Sequence, residues 1–252
     1  AVGSAALATQ NFTTATDTFN TAVGYYVGVA VTTGVQNTLM GGLAGGAMTT
    51  GSRNTFMGIG AGSAGVVTGN DNTAVGASTG ANVTSGSNNL FLGHDAGITG
   101  SPAGNITTQS NYVVIGDENI AYIRTAVGVT ANSDQRDKTD FTALDLGLDF
   151  VKALAPVTYK WDKRSKYGDK TADGYDLNDQ TPDGTHKEDW LDIGFKAQEV
   201  EALEQAAGYN KNNKTNLIAS ITPDGKSYGL TYEKFIPILV KAIQEQNALI
   251  VA

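Results

Sequence analysis

The chain has 252 residues, which is room for one large domain or two smaller ones. It carries 25 acidic and 17 basic side chains and has no basic block to neutralise a phosphate backbone, so nucleic acid is not an expected partner. It has no cysteine, which excludes disulfides and thiolate metal sites. No apolar run approaches the ~20 residues that a membrane helix needs, so we do not expect membrane insertion.

Composition divides the chain near residue 132. Residues 1–132 contain 23 of the 31 glycines and seven charged side chains, whereas residues 133–252 contain 35 charged side chains and both tryptophans. We therefore predict an N-terminal domain over residues 1–132 and a C-terminal domain over residues 133–252.

The N-terminal half is a repeat of 17 or 18 residues. Each unit opens on an asparagine and has a glycine four and eight positions later. The opening residues are Asn20, Asn37, Asn54, Asn72 and Asn89, and a degenerate sixth unit starts at Tyr112. A unit of this length cannot bury its own apolar side chains, so neighbouring units must stack on one another.

The repeat predicts an all-β rod. Helix is disfavoured, because frequent glycines would each cost about 1 kcal/mol. We predict short strands in a trimeric parallel β-solenoid or β-roll, with glycines at corners and the asparagines either capping a corner or forming a side-chain ladder. We expect the apolar residue three places after each asparagine to point inward: Val23, Met40, Met57, Val75, Leu92 and Ile115.

No cofactor or metal site is expected. The segment from Gly60 to Gly65 matches a dinucleotide fingerprint, but no helical pattern follows it and its glycines belong to the repeat. His94 and His186, the only histidines, lie in different halves, so we do not expect a histidine metal cluster or triad. The acidic stretch 162–189 lacks the ordered spacing of a calcium loop.

A glycan-degrading site in the rod is also not expected. Acid–base hydrolysis needs two carboxylates facing one cleft. The rod has few: Asp17, Asp71, Asp95, Asp117 and Glu118. Two interpretations of the tyrosine pair Tyr25 and Tyr26 remain open: the rings contact a saccharide, or they pack between chains.

The C-terminal half has the pattern of a mixed α+β domain that ends in a long helix. The predicted helices are 143–154, 197–203 and 233–251. The predicted strands are 156–161, 193–195 and a hairpin of 217–222 with 227–231. Residues 162–189 are predicted to be a long exposed loop or an insertion. A final amphipathic helix usually has a partner helix, so threefold association is plausible.

The junction of the two halves carries the most specific chemistry. Ser133 precedes Lys138 by five residues in the segment Ser-Asp-Gln-Arg-Asp-Lys. A neutral lysine can act as the general base for a serine nucleophile, so the spacing suggests a chain that cuts itself. Asp137 would weaken such a base if its carboxylate faced the lysine. Alternatively, Ser133 and Asp134 cap a helix and Lys138 lies on a solvated face.

Residues 133–252 resemble the intramolecular chaperone auto-processing domain at the C-termini of phage tailspikes and tail fibres. Four blocks in this order carry the resemblance: the Ser133–Lys138 motif, Pro156–Trp161, Gly194–Val200 and Tyr232–Glu245. It implies a homotrimer and a single-turnover endopeptidase. Ser133 would attack the carbonyl of Asn132 with Lys138 as base, while Asp134 and Arg136 would support the turn or the oxyanion.

The expected function is therefore that of a phage tail fibre tip. Its C-terminal domain would assist trimeric folding, cut between Asn132 and Ser133 and be released in the host cytoplasm. The rod would stay in the virion and attach to a cell-surface receptor, expected to be a polysaccharide. The alternative is a non-cleaving trimeric adhesin or stalk whose C-terminal domain only trimerises.

Overall fold

The computed structural model describes residues 1–170 and 172–251. They form two compact units, each built from segments that are distant in sequence. The first, which we call the solenoid unit, consists of Ala1–Ile120, Asp162–His186 and Thr222–Ser227. The second, the helical unit, consists of Ala121–Trp161, Lys187–Ile221 and the chain from Tyr228 onwards.

In the part of the solenoid unit that the structure describes, six short strands pair in parallel, each with the next in the sequence. They are β1 (Thr21–Val23), β2 (Thr38–Met40), β3 (Thr55–Met57), β4 (Thr73–Val75), β5 (Leu90–Leu92) and β6 (Val113–Ile115). Equivalent repeat positions are paired, so that Thr38 lies opposite Thr55 and Met40 opposite Met57. The prediction of a parallel β-solenoid is confirmed.

The solenoid core includes the middle residue of each strand together with buried corner residues such as Val31 and Met48. The middle residues are buried: Ala22, Leu39, Phe56, Ala74, Phe91 and Val114. The predicted inward column, three places after each asparagine, is wrong, because alternate side chains of a strand point to opposite faces and the middle one faces the core. We call the residues on the opposite face the outer column: Val23, Met40, Met57, Val75, Leu92 and Ile115. All but Met57 are exposed.

The opening asparagines form the predicted side-chain ladder. The Oδ1 atom of Asn37 accepts the backbone N–H of Asn54 at 2.8 Å, and Oδ1 of Asn54 accepts that of Asn72 at 2.9 Å. The Nδ2 atom of Asn54 also donates to the carbonyl of Gly69 at 3.0 Å. Each interior asparagine thus binds the next turn and closes a corner of its own, so the fold requires it at this position.

The fixed glycines are required by close approach of neighbouring turns. Gly41 has φ +121°, and a Cβ atom there would lie 2.7 Å from the carbonyl oxygen of Gly58 on the next turn. At Gly80, with φ +56°, a Cβ atom would lie 2.9 Å from the ring of Phe91. The prediction of corners with positive φ and tight backbone contact is confirmed at these positions.

Two segments from the C-terminal half pack on the last turns of the solenoid; we call Asp162–His186 and Thr222–Ser227 the cap segments. The Oδ2 atom of Asp224 accepts the backbone N–H of Asn105 at 2.9 Å, and Lys163 donates to the carbonyl of Glu118 at 2.9 Å. Leu177 is buried. Much of the segment 162–189 is exposed, as predicted, but the prediction of an exposed loop or insertion missed its contacts with the solenoid.

Among its described residues, the helical unit contains three α-helices and two antiparallel strand pairs. In chain order they are α1 (Leu148–Ala153), β7 (Val157–Tyr159), β8 (Asp192–Gly194), α2 (Ala197–Ala206), β9 (Ala219–Ile221), β10 (Tyr228–Leu230) and α3 (Phe235–Ile250). Strand β7 pairs with β8, and β9 pairs with β10 as predicted. The predicted helix over 143–154 begins later, because Gly147 is non-helical (φ −138°, ψ −133°).

The core of the helical unit lies between α1, α2, α3 and the β9–β10 pair. Its most buried apolar residues are Leu146, Phe150, Val200, Ile218, Phe235 and Ile238. The terminal helix buries one side, whereas Ile236, Ile243 and Leu249 on it are exposed. Across residues 1–170 and 172–251, no helix has the length and apolar character needed to cross a bilayer.

Candidate Ser133–Lys138 site

The segment around Ser133 folds into one tight turn. A 3-10 helix spans Gln135–Asp137, and Asp134 caps its start by accepting the backbone N–H of Arg136 at 2.9 Å. The guanidinium of Arg136 folds back on the same carboxylate, with Nη2 2.6 Å and Nε 3.0 Å from its oxygens. Arg136 holds the pKa of Asp134 below its usual value, first through its guanidinium and then through its backbone N–H.

This turn returns Lys138 to Ser133. The backbone N–H of Lys138 donates to the carbonyl of Gln135 at 3.2 Å, which closes the turn. The Nζ atom of Lys138 lies 2.6 Å from Oγ of Ser133 and 3.3 Å from its carbonyl oxygen. The five-residue spacing therefore brings together the two groups that a serine–lysine reaction requires.

The site is open to solvent. Residues 119–143 are all exposed, including Ser133 and Lys138. Several apolar side chains in this stretch are also uncovered, among them Val127, Val129 and Phe141. A lysine acts as a general base only in its neutral form, and burial favours that form. In a single chain the geometry is in place but the apolar surroundings are not.

The other charged residues of the motif are Asp134, Arg136 and Asp137, and among these described residues only Asp134 and Arg136 form an ion pair with each other. Within the described part of the chain, no ion pair joins Asp137 to Lys138, so the condition under which Asp137 would weaken the base is not met. Asp134 and Arg136 contact each other and shape the turn. The alternative interpretation was a helix cap at Ser133 and Asp134 with Lys138 on a solvated face. In the structure Asp134, but not Ser133, is the cap residue, and Lys138 is exposed.

Sequence reasoning missed two groups that the fold creates. Glu204 of α2 is buried, and its carboxylate accepts the backbone N–H groups of Leu217, Ile218 and Ala219 at 2.6–2.9 Å. No local pattern marks this, because the partners lie 13–15 residues away. The second is a cluster of His94, Asp95 and Asp117 on the solenoid, whose ligand atoms all lie within 4.8 Å of one another.

Comparison with known proteins identifies the C-terminal segment. The family model described as chaperone of endosialidase matches residues 133–209, starting at the motif serine. The match supports a C-terminal intramolecular chaperone domain of the kind found in phage tail fibres, and the matched segment includes the Ser133–Lys138 turn, α1 and α2. Neither the curated proteins nor the solved structures contain a significant match to the chain.

Proposed function

We propose that this protein is the tip of a phage tail fibre whose chaperone domain assists trimeric folding and then cuts the chain between Asn132 and Ser133. The solenoid remains in the virion and attaches to the host. The released piece, from Ser133 onwards, stays in the host cytoplasm. The observation that carries the proposal is the 2.6 Å approach of Lys138 Nζ to Ser133 Oγ, where the match to the chaperone family begins.

The cap segments support the folding role. A repeat stack needs a terminal element that covers its last turn. Here both cap segments come from sequence beyond Ser133, and they bind the backbone at Asn105 and Glu118. The segment to be released therefore supplies the end on which the last turns of the solenoid can form. Folding would be complete before the cap is lost.

Association of three copies is supported by uncovered apolar surface in both units. The outer column places one apolar side chain on every turn, with Met40 42% and Ile115 45% exposed. The terminal helix leaves Ile236 and Ile243 uncovered as well. The outer column repeats its apolar side chains with the period of the solenoid, so the outer columns of neighbouring copies can pack against one another in register. Three copies arranged around an axis would bury these side chains.

The proposed reaction is an acyl shift followed by hydrolysis. Oγ of Ser133 attacks the carbonyl carbon of Asn132, and its proton goes to the neutral Nζ of Lys138. The Asn132–Ser133 C–N bond breaks, the Ser133 nitrogen takes up a proton, and an ester joins the Asn132 acyl group to Oγ. Water then hydrolyses the ester, which leaves the Asn132 carboxylate and Ser133 as a new N-terminus.

Assembly would switch this reaction on. Burial of residues 119–143 between three chains would cover Val127, Val129 and Phe141 and remove water from Lys138. Desolvation favours the neutral amine that the reaction needs. Cleavage would thus follow folding rather than precede it.

The proposed host attachment uses a pair of exposed aromatic side chains on the solenoid. Tyr25 and Tyr26 are exposed at one solenoid corner, with ring centroids 4.4 Å apart. Exposed aromatic rings stack well on sugar faces, so a cell-surface polysaccharide is the proposed receptor class.

Intact mass of freshly expressed protein tests the cleavage. We expect two pieces that separate between Asn132 and Ser133 in wild type, and a full-length chain in Ser133→Ala and Lys138→Ala. Lys152→Ala is the matched control, because Lys152 is exposed and its Nζ atom lies 3.4 Å from the neighbouring Asp149 carboxylate on the same helix. A wild-type trimer that stays full length would reject self-cleavage and favour the non-cleaving adhesin or stalk.

A further inference from the structure

The corner that follows each solenoid strand changes character in the last two turns. Positions five and six after the opening residue are uncharged in the first four turns: Tyr25-Tyr26, Gly42-Leu43, Ile59-Gly60 and Ala77-Ser78. In the last two turns they are His94-Asp95 and Asp117-Glu118. Strands β5 and β6 are paired in register, so these two corners lie one above the other.

Three side chains of these corners converge. The Nδ1 atom of His94 lies 3.5 Å from Oδ2 of Asp95 and 3.5 Å from Oδ2 of Asp117. All three atoms lie within 4.8 Å of one another. Ligand atoms around a tetrahedral ion at ~2.1 Å lie about 3.4 Å apart, so two of the three separations already fit a bound metal ion.

The cluster is held by the backbone of the solenoid. The N–H of Asp95 donates to the carbonyl of Ala77 on the preceding turn at 3.1 Å. Asp117 is 8% exposed, and its Oδ1 atom accepts the backbone N–H of Asn119 at 2.9 Å. The Oδ2 atom of Asp117, which faces His94, accepts a hydrogen bond from Nδ2 of Asn119 at 2.5 Å, and an ion would bind the remaining lone pair of that oxygen.

The lysines nearby contact other groups. Lys170 forms an ion pair with Glu118, and Lys166 donates to the side-chain oxygen of Asn119. They balance the charge next to the cluster without occupying the oxygens that face His94. The side chain of His94 is 63% exposed, which leaves a path for an ion and for water ligands.

We propose that His94, Asp95 and Asp117 form a binding site for a divalent transition-metal ion. One imidazole nitrogen and two carboxylate oxygens are a ligand set that suits zinc, with water in the remaining position. Calcium prefers six to eight oxygen ligands and fits this set poorly. The bound ion would join the last two turns of the solenoid.

Zinc titration of the full chain tests the site. The protein, carrying Ser133→Ala so that it stays in one piece, is freed of metal with a chelator and titrated with zinc chloride in a calorimeter. We expect one zinc ion per chain, an affinity at least about tenfold lower for His94→Ala and Asp117→Asn, and weaker binding of calcium. His186→Ala is the matched control, because that histidine packs on Tyr167 outside the cluster.

The change in melting temperature on adding zinc tests the site independently of calorimetry, also when one of the variants folds poorly. Zinc should raise the melting temperature of wild type and of His186→Ala, and should not raise that of His94→Gln. If metal-free wild type binds no zinc, or if His94→Gln and Asp95→Asn bind as tightly as wild type, the site does not exist. Neither result bears on cleavage, so the two proposals fail separately.

Discussion

The Nζ atom of Lys138 lies 2.6 Å from Oγ of Ser133, across a single 3-10 turn. The turn is fixed at its start by Asp134, whose carboxylate holds both the backbone N–H and the guanidinium of Arg136. The contact between Ser133 and Lys138 is therefore organised by local sequence alone. In the single chain Lys138 is exposed to solvent, and only contacts with other residues or with other copies of the chain could bury it.

The turn itself can be tested at Asp134. We expect Asp134→Ala to slow cleavage without abolishing it, because Ser133 and Lys138 remain but the cap and the Arg136 tether are lost. The rate of appearance of the Ser133 N-terminus, followed by intact mass, measures this. Gln135→Ala lies in the same turn and should cleave at the wild-type rate. Equal rates for both variants would show that the turn is not needed.

The asparagine ladder predicts a stability effect inside the rod. Asn54→Ala removes the acceptor of the Asn72 N–H and the donor to the Gly69 carbonyl, both in a buried setting. Each buried group left unpaired costs about 1–3 kcal/mol, so we expect a loss of several kcal/mol in the free energy of unfolding. Denaturant unfolding measures it. Asn82→Ala, which loses one half-buried side-chain bond to Asn105, should cost clearly less.

The ladder also illustrates how much the sequence could predict. The period placed the strands, the corner glycines and the asparagines, because each feature recurs in every turn. The period did not identify which strand residue points inward, because the second and third residues of each strand are both apolar. In two strands the buried second residue is the small Ala22 or Ala74, and the larger Val23 or Val75 follows it on the opposite face. Only the strand geometry decides between neighbours that point to opposite faces.

The C-terminal half was less predictable for a different reason. The five-residue spacing placed Ser133 near Lys138, since local turns close over such distances. In contrast, Asp224 and Asn105 are 119 residues apart, and Glu245 caps the N–H of Leu148 from 97 residues away. Contacts of this kind leave no periodic pattern, so neither the cap segments nor the buried Glu204 could be read from one sequence.

The outer column predicts the effect of charge on association. We expect the double variant Met40→Asp with Met57→Asp to shift the protein from trimer to monomer, because burying carboxylates between copies is costly. Light scattering coupled to size exclusion measures the mass, and an unchanged circular dichroism spectrum would exclude unfolding. Thr50→Asp, exposed at another corner, is the control. A stable trimer of the double variant would place the interface elsewhere.

The cap contact at Asp224 predicts a pH dependence. Burial raises the pKa of Asp224, but hydrogen bonds from the Thr222 hydroxyl and from the N–H groups of Asn105 and Lys226 outweigh burial and hold it below its usual value. Its stabilising contribution is therefore present above the unfolded-state pKa of about 3.9 and is lost as the pH falls through the lower folded-state value.

Hydrogen exchange at the Asn105 amide measures this contact. We expect its protection factor to fall as the solution is acidified below about pH 4, and to be lower at neutral pH in Asp224→Asn, whose acid dependence should be weaker. The amide of Gly80, which donates to Ala96 within the solenoid, is the internal control and should keep its protection. Parallel loss at both amides would instead indicate general unfolding.

Glu204 gives the strongest expected effect in the helical unit. Its carboxylate accepts three backbone N–H groups at 2.6–2.9 Å and is almost fully buried. Glu204→Leu would leave three backbone donors unpaired, two of them buried and that of Leu217 half-buried, so we expect a loss of roughly 3 kcal/mol or more. Glu204→Gln keeps one acceptor oxygen and should cost less.

Glu199→Leu, an exposed change on the same helix, is the matched control for Glu204 and should leave stability within about 0.5 kcal/mol of wild type. Denaturant unfolding of the Ser133→Ala background measures all three variants. If the carboxylate organises the chaperone fold, Glu204→Leu should also reduce the yield of trimer. A stable, trimeric Glu204→Leu variant would mean that the loop over 217–219 forms without its acceptor.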